Sequence, residues 1–254
     1  MTDRRPITRI VVAADSARTP RGSLDWAARL AALLQSELAG LFIEDSVMAQ
    51  WAEHPTVRVV GRVSGGNLPE GGAILGRALR RRAEALRAEL EKTALRHRLS
   101  HTFAVRRGVT PVEIRQAARD AGLVLLAWTG GRRAPVPPEG RIVVLYDGSE
   151  GADHALITAC DLSGALNVSP AVLLDAHSER EALGLQQRAL EIAGGCGYRL
   201  SIQYMPDTTA VMAARAVEQM RGGVFLVPAD HTILEGRDAD EFLDRVPCPV
   251  VVVG

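Results

Sequence analysis

The chain has 254 residues with 30 basic and 30 acidic side chains, long enough for one large or two small domains and without net charge. A neutral chain creates no long-range field to attract nucleic acid or an anionic membrane, so neither partner is predicted. Because no apolar run approaches the roughly 18 residues that cross a bilayer, and no signal-peptide core precedes Asp15, we expect a cytoplasmic protein.

Two residue counts exclude further classes of site. The only lysine, Lys92, follows Glu91 in a helical pattern, and no G-K-[ST] motif occurs, so a phosphate-binding P-loop is excluded. The three cysteines are far apart and form no C-x-x-C pair, which predicts reduced thiols, most of them in the core, rather than disulfides or a zinc site. They are Cys160, Cys196 and Cys248.

The histidines do not predict a metal site. His97 and His101 have the spacing of two ligands on one helical face, but the helical pattern ends near Leu99 and no third ligand lies nearby. The remaining histidines are isolated in sequence and are interpreted as surface or loop residues: His54, His154, His177 and His231.

The first half of the chain alternates apolar runs with helical patterns. The run that ends at Asp15 is β-branched and wholly apolar, which is typical of a strand buried on both faces. A long connection with the Gly-rich segment S-G-G-N-L-P-E-G-G, interpreted as a flexible loop, separates the second strand from a long helix. The pattern predicts strands at 7–14, 38–43, 102–106 and 123–128, and helices at 23–34, 73–98 and 110–121.

The third of these helices has a clear start signal, T-P-V-E at 110–113. Thr110 is predicted to cap the helix, Pro111 suits the first helical position, and Glu113 can bond back to the capping amide. Gly122 is predicted to end the helix.

The second half repeats the first. R-I-V-V-L-Y-D-G-S from Arg141 matches R-I-V-V-A-A-D-S from Arg9 at an offset of 132 residues, which aligns Asp147 with Asp15. Both aspartates end a buried strand, where open α/β sheets bind ligands. Further elements are predicted as helices at 179–193, 208–221 and 238–243, and as strands at 198–205, 224–227 and 250–253.

A proline-rich segment separates the two copies. G-G-R-R-A-P-V-P-P-E-G at 130–140 carries three prolines in four residues and cannot form a helix, so it is interpreted as a linker. The predicted domains are therefore 1–129 and 141–254. The first domain is one helix and one strand shorter than the second.

These motifs together resemble the universal stress protein (UspA) family in its tandem form. The resemblance rests on the two aspartate-ended first strands and on F-L-D-R-V-P-C-P-V-V-V-V at the end of the chain, and it spans nearly the whole sequence. It implies two tandem doubly wound α/β domains, each with a parallel sheet of strand order 3-2-1-4-5, the first domain lacking its last helix and strand.

The resemblance also implies a nucleotide site in each copy. Nucleotide-binding members place the strand-one aspartate near the adenosine and hold phosphates with a glycine-rich loop after strand four. That loop is not matched in the second copy, where Asp230 stands in its place and Gly236 is followed by Arg237. The implied cofactor-binding residues are Asp15, Thr129, Gly130, Gly131, Arg132, Asp147 and Gly236.

Two functions follow as hypotheses. The favoured one is a non-catalytic stress-response or regulatory protein without a bound cofactor, which acts on an unknown protein partner. The alternative is an adenine-nucleotide-binding protein that holds ATP or AMP in its first domain with Asp15 and residues 129–133.

Two other interpretations concern the residues that follow the first strand of each copy. Asp15 and Asp147 could each only cap the helix that follows. An esterase is disfavoured because Asp147 stands where a nucleophile elbow at Ser149 needs glycine.

The last predicted strand suggests how chains associate. Val250–Val253 is an apolar strand, and an unprotected strand edge of that kind normally pairs. Since the first domain has no equivalent strand to offer, a homodimer through this strand is predicted.

Overall fold

The computed structural model describes residues 7–15, 23–46, 50, 59–60, 67–68, 71–126, 140–206, 208–235, 239, 242–243 and 245–254. The strands are β1 (Arg9–Asp15), β2 (Glu37–Asp45), β3 (Val59–Val60), β4 (Asn67–Leu68), β5 (His101–Gly108), β6 (Gly122–Leu126), β7 (Arg141–Tyr146), β8 (Pro170–Ala176), β9 (Ser201–Pro206), β10 (Gly222–Pro228) and β11 (Val250–Val253). The α-helices of the described residues are α1 (Ser23–Leu34), α2 (Gly71–His97), α3 (Thr110–Ala121), α4 (Glu150–Leu166), α5 (Glu179–Gly195) and α6 (Ala210–Gln219).

Nine of these strands form one continuous sheet. Its order is β5-β2-β1-β6-β11-β10-β7-β8-β9, while β3 and β4 form a separate two-stranded ribbon. Each half is parallel within itself and follows the predicted order, 3-2-1-4 in the first half and 3-2-1-4-5 in the second. The predicted α/β fold is therefore confirmed, with the difference that the two halves share a sheet.

The strand β11 joins the halves. It pairs parallel with β10, with Val250 opposite Phe225, and antiparallel with β6, with Val252 opposite Val124. Both edges of β11 are thus used inside the chain, so the predicted dimer through Val250–Val253 is wrong. The first half leaves its fifth strand position open, and a tethered strand fills it at a higher effective concentration than a second chain can offer.

The antiparallel junction also orients the two halves. Because β6 and β11 run in opposite directions, the strands of the first half point opposite to those of the second. The carboxyl ends of the two sets of strands therefore lie at opposite edges of the sheet. Asp15 and Asp147, which follow the same strand in the repeat, belong to two separate places.

The core lies on both faces of the sheet, as a doubly wound fold requires. One face packs against α1, α2, α4 and α5, and the other against α3, α6 and the segment that precedes β11. Alternate residues of β11 enter the two cores, Val251 the first and Val252 the second, because side chains alternate along a strand. Both cores run across the two halves.

The capping position of α3 differs from the prediction. The helix begins at Thr110, and the capping position is Val109, which has no side-chain cap. The Thr110 hydroxyl instead donates to Asp45 Oδ2 at 3.4 Å, so the carboxylate at the end of β2 competes for the expected cap. Gly122 ends the helix with a φ of 83°, as predicted.

The remaining predictions concern the cysteines, the last helix and the linker. Cys160 and Cys248 are buried, Cys196 is partly buried, and none of the three forms a disulfide, as predicted. Burial raises the pKa of the Cys248 thiol to about 12, which keeps it an inert core residue. The described residues of the predicted last helix, 239 and 242–243, are helical, whereas the linker 130–139 lies outside the described residues.

Candidate functional site

The second half places polar groups at the carboxyl ends of β7, β8 and β10. These strands are parallel neighbours, and the chain leaves β7 toward β8 on one side while β10 lies on the other. In open α/β sheets the crevice at such a switch point is the usual ligand site. Three carboxylates lie at these strand ends: Asp175 within the last two residues of β8, and Asp147 and Asp230 just after β7 and β10.

Asp147 stabilises the turn that leads into α4. Its Oδ1 accepts a hydrogen bond from the backbone N–H of Ser149 at 2.9 Å. Ser149 is the capping residue, since its hydroxyl accepts from the Ala152 N–H at 3.1 Å. Asp147 therefore does not cap the helix, which corrects that simpler alternative for this copy.

Asp230 lies against the first turn of α4. A Cβ atom on Gly151 would come 2.5 Å from Asp230 Oδ1, so the carboxylate rests directly on this glycine. The first turn of a helix attracts negative charge because its amide groups have no partner within the helix. The carboxylate of Asp230 thus places a negative charge beside the first turn of α4.

The turn between β7 and α4 is also covered by an apolar side chain. Gly148 has a φ of 79°, and a Cβ atom there would lie 2.3 Å from Leu185 Cδ2. Leu185 belongs to α5, so this helix closes over the turn. Nothing in the sequence pattern distinguished Leu185 from the other leucines of α5.

Asp175 and His231 form a hydrogen-bonded pair. The His231 Nδ1 accepts from the backbone N–H of Ile233 at 3.1 Å, so its proton is on Nε2, which lies 3.1 Å from Asp175 Oδ2. Asp175 also accepts from the Thr208 N–H at 3.2 Å. His231 lies in a loop, as expected, but it is only 4% exposed and not a surface residue.

A second network, which joins a buried tyrosine to an exposed arginine, supports the turn between β7 and α4. The fully buried Tyr146 donates from its hydroxyl to Asp153 Oδ1 at 2.6 Å, and Arg188 donates to the other oxygen of Asp153. Burial, and then the hydrogen bond to Asp153, raise the pKa of Tyr146 well above its ordinary value, so it remains a neutral donor. The network ties β7, α4 and α5 together.

The first half has its own cleft, at the opposite edge of the sheet. It is lined by Asp15, which is 7% exposed, by Thr110 and by Leu126, and Leu243 from the second half closes one side. The other residues predicted for nucleotide binding, Thr129, Gly130, Gly131, Arg132 and Gly236, lie outside the described residues.

Two further features of the described residues bear on function. They contain no cluster of three or more His, Cys, Asp or Glu side chains that could hold a metal ion. His97 instead lies 3.4 Å from Asp25 through its Nε2. None of the helices in the described part of the chain is both long and apolar enough to span a bilayer.

The sequence matches no family model and no curated protein. Among solved structures, a universal stress protein from Archaeoglobus fulgidus is similar over 96% of this chain and 95% of its own, with a TM-score of 0.63 and 13% identity. A universal stress protein from the same organism in complex with dAMP is similar over 46% of this chain and 99% of its own, with a TM-score of 0.39 and 15% identity.

The cytoplasmic domain of a prokaryotic cation chloride cotransporter is similar over 96% of this chain and 94% of its own, with a TM-score of 0.46 and 12% identity. The similarity to the first of these structures, at 13% identity and a TM-score of 0.63, defines the fold alone. The chain has the universal stress protein fold, and the resemblance predicted from the sequence is confirmed at that level.

Proposed function

We propose that this protein is a non-catalytic regulatory protein of the universal stress type, which acts in the cytoplasm through a protein partner and holds no nucleotide in its second half. The observation that carries the proposal is the contact of Asp230 with Gly151 at the first turn of α4. A phosphate bound there would have to displace this carboxylate or lie beside it.

A phosphate that lies beside Asp230 is strongly repelled by this carboxylate. Two like unit charges 4 Å apart near a protein surface repel by about 4 kcal/mol. That amounts to roughly a thousandfold loss of affinity for the phosphate group. Because Asp147 and Asp175 also lie at strand ends on this edge, the charge pattern opposes an anionic ligand further.

The packing of side chains around the turn after β7 also opposes ligand binding. Leu185 packs on Gly148 and covers the turn after β7, and the Asp175–His231 pair is satisfied by internal hydrogen bonds. Since His231 Nδ1 already accepts from the backbone, this histidine has no free nitrogen to act as a general base. These contacts support a non-catalytic role.

The alternative function, adenine-nucleotide binding by the first half, is favoured by the position of Asp15 and not by the recess beside it, whose volume of about 10 Å³ is far below the roughly 300–1,000 Å³ of small-molecule sites. Asp15 ends β1 at a switch point, between β2 and β6, which is the position that suits a ligand.

One experiment separates the two. Small molecules released from the purified, denatured protein are identified by mass spectrometry, and thermal shifts with ATP and AMP are measured. Wild type is compared with Asp15→Ala, Asp147→Ala and, as a control, the exposed Asp120→Ala. We expect that no nucleotide is released at close to one molecule per chain, and that neither ATP nor AMP changes the melting temperature.

Each other outcome has a distinct meaning. Nucleotide binding that Asp15→Ala abolishes and Asp147→Ala preserves would establish the alternative function. Nucleotide binding that Asp147→Ala abolishes would overturn the proposal for the second half.

A further inference from the structure

A cavity of about 450 Å³ lies between α1 and α2. Its size falls in the range of small-molecule sites, about 300–1,000 Å³. Two of its lining residues, Leu24 and Thr93, are almost completely buried, which makes it a recess rather than a flat surface. It shares no lining residue with the cleft beside Asp15.

Asp25 forms ion pairs with two arginines that line this cavity. Its Oδ2 accepts from Arg29 Nε at 3.1 Å, and its Oδ1 accepts from Arg96 Nη1 at 3.2 Å. His97 Nε2 also approaches Asp25 Oδ1 at 3.4 Å. One carboxylate therefore holds two guanidinium groups, one from each helix, at the cavity wall.

The cations outnumber the acids. Arg29, Lys92 and Arg96 line the cavity together with two carboxylates, Asp25 and Glu89. Lys92 has no ion-pair partner within the described part of the chain, and each guanidinium keeps donors that Asp25 does not use.

We propose that this cavity binds a small organic anion that carries phosphate or carboxylate groups. Guanidinium and ammonium groups form strong, charge-assisted hydrogen bonds with such anions, and Asp25 fixes the two arginines in advance, so less conformational entropy is lost on binding. Lys92 supplies the donor that is not already committed to a neighbour.

The test uses the full chain and two probes, pyrophosphate and citrate, at matched ionic strength in isothermal titration calorimetry. Lys92→Gln is expected to weaken binding about tenfold, as the loss of one hydrogen bond to a charged group implies. Glu89→Gln is expected to tighten binding because it removes an opposing charge. The stronger of the two probes distinguishes a phosphate ligand from a carboxylate ligand.

Arg87→Gln is the matched control. Arg87 lies on the same helix, pairs with Glu91 at 3.7 Å and does not line this cavity, so binding is expected to stay unchanged. The proposal is overturned if neither probe binds at millimolar concentration, or if Arg87→Gln weakens binding as much as Lys92→Gln. Circular dichroism melts confirm that each variant folds.

Discussion

At the scale of single residues, Asp175 shows how this protein stabilises a half-buried carboxylate. Burial by itself would raise the pKa of Asp175, but hydrogen bonds from His231 and Thr208 lower it more, so the pKa lies below its ordinary value. A carboxyl whose pKa is depressed by folding stabilises the folded state when it is ionised.

We expect Asp175→Asn to lower the free energy of unfolding by about 1–3 kcal/mol at neutral pH, because hydrogen bonds to a charged acceptor are lost. The difference from wild type should be fully present above the unfolded pKa, about 3.9, and should disappear as the pH falls through the lower folded pKa. Urea unfolding between about pH 2 and 7 measures it, so that the series extends below the unfolded pKa toward the lower folded pKa.

The control for this prediction is Asp120→Asn. Asp120 is exposed and pairs with Arg106 at 3.2 Å, so its effect should remain within about 1 kcal/mol. A constant difference between Asp175→Asn and wild type across the whole pH range would contradict the assigned role of Asp175.

The sequence predicted Asp147 as a candidate because it is repeated and ends a strand. It did not predict the Tyr146–Asp153–Arg188 network, in which the arginine comes from another helix, 35 residues along the chain from Asp153. Asp175 also ends a strand, and that position could have identified it. The partner His231 could not be identified, because it comes from a loop 56 residues further on.

At the scale of elements, β11 is the strand on which both halves depend. Val252 is fully buried and has Val227 on one side and Val124 on the other. We expect Val252→Thr, which keeps the shape but buries a hydroxyl, to cost about 1–3 kcal/mol of stability. Chemical denaturation measures the cost.

Hydrogen exchange provides a second measurement of this variant. Amides of both β6 and β10 should lose protection in Val252→Thr, since both strands bond to β11. The control is Val105→Thr on the outer strand β5, where the side chain is 48% exposed and the expected change is within about 0.5 kcal/mol. Loss of protection in β10 alone would show that β11 does not support the first half.

At the scale of the whole molecule, one sheet and two cores that cross both halves make independent unfolding of the halves unfavourable. We therefore expect one cooperative transition. All three tryptophans precede residue 140, so tryptophan fluorescence reports on the first half, while far-ultraviolet circular dichroism reports on the whole chain. The two denaturation curves should coincide. Separate midpoints would show that the halves unfold as independent domains.

The sequence by itself determined the local structure and the repeat of one unit in the two halves, and the family resemblance implied the order of strands within each half. Apolar periodicity, turn residues and the repeat are properties of neighbouring residues, and burial on both faces leaves a continuous apolar strand few alternatives. The same information located Asp15 and Asp147 at strand ends. It did not identify the capping position of α3, because Asp45 of another strand attracts the Thr110 hydroxyl.

Only the tertiary structure decided how the halves join and what fills the second site. The sequence showed that the first half lacks a fifth strand. Whether a second chain or β11 of the same chain pairs with β6 depends on the three-dimensional arrangement of the two halves. Likewise, Leu185 on Gly148 and Asp230 on Gly151 are contacts between distant segments. Such contacts arise from packing, which no local pattern encodes.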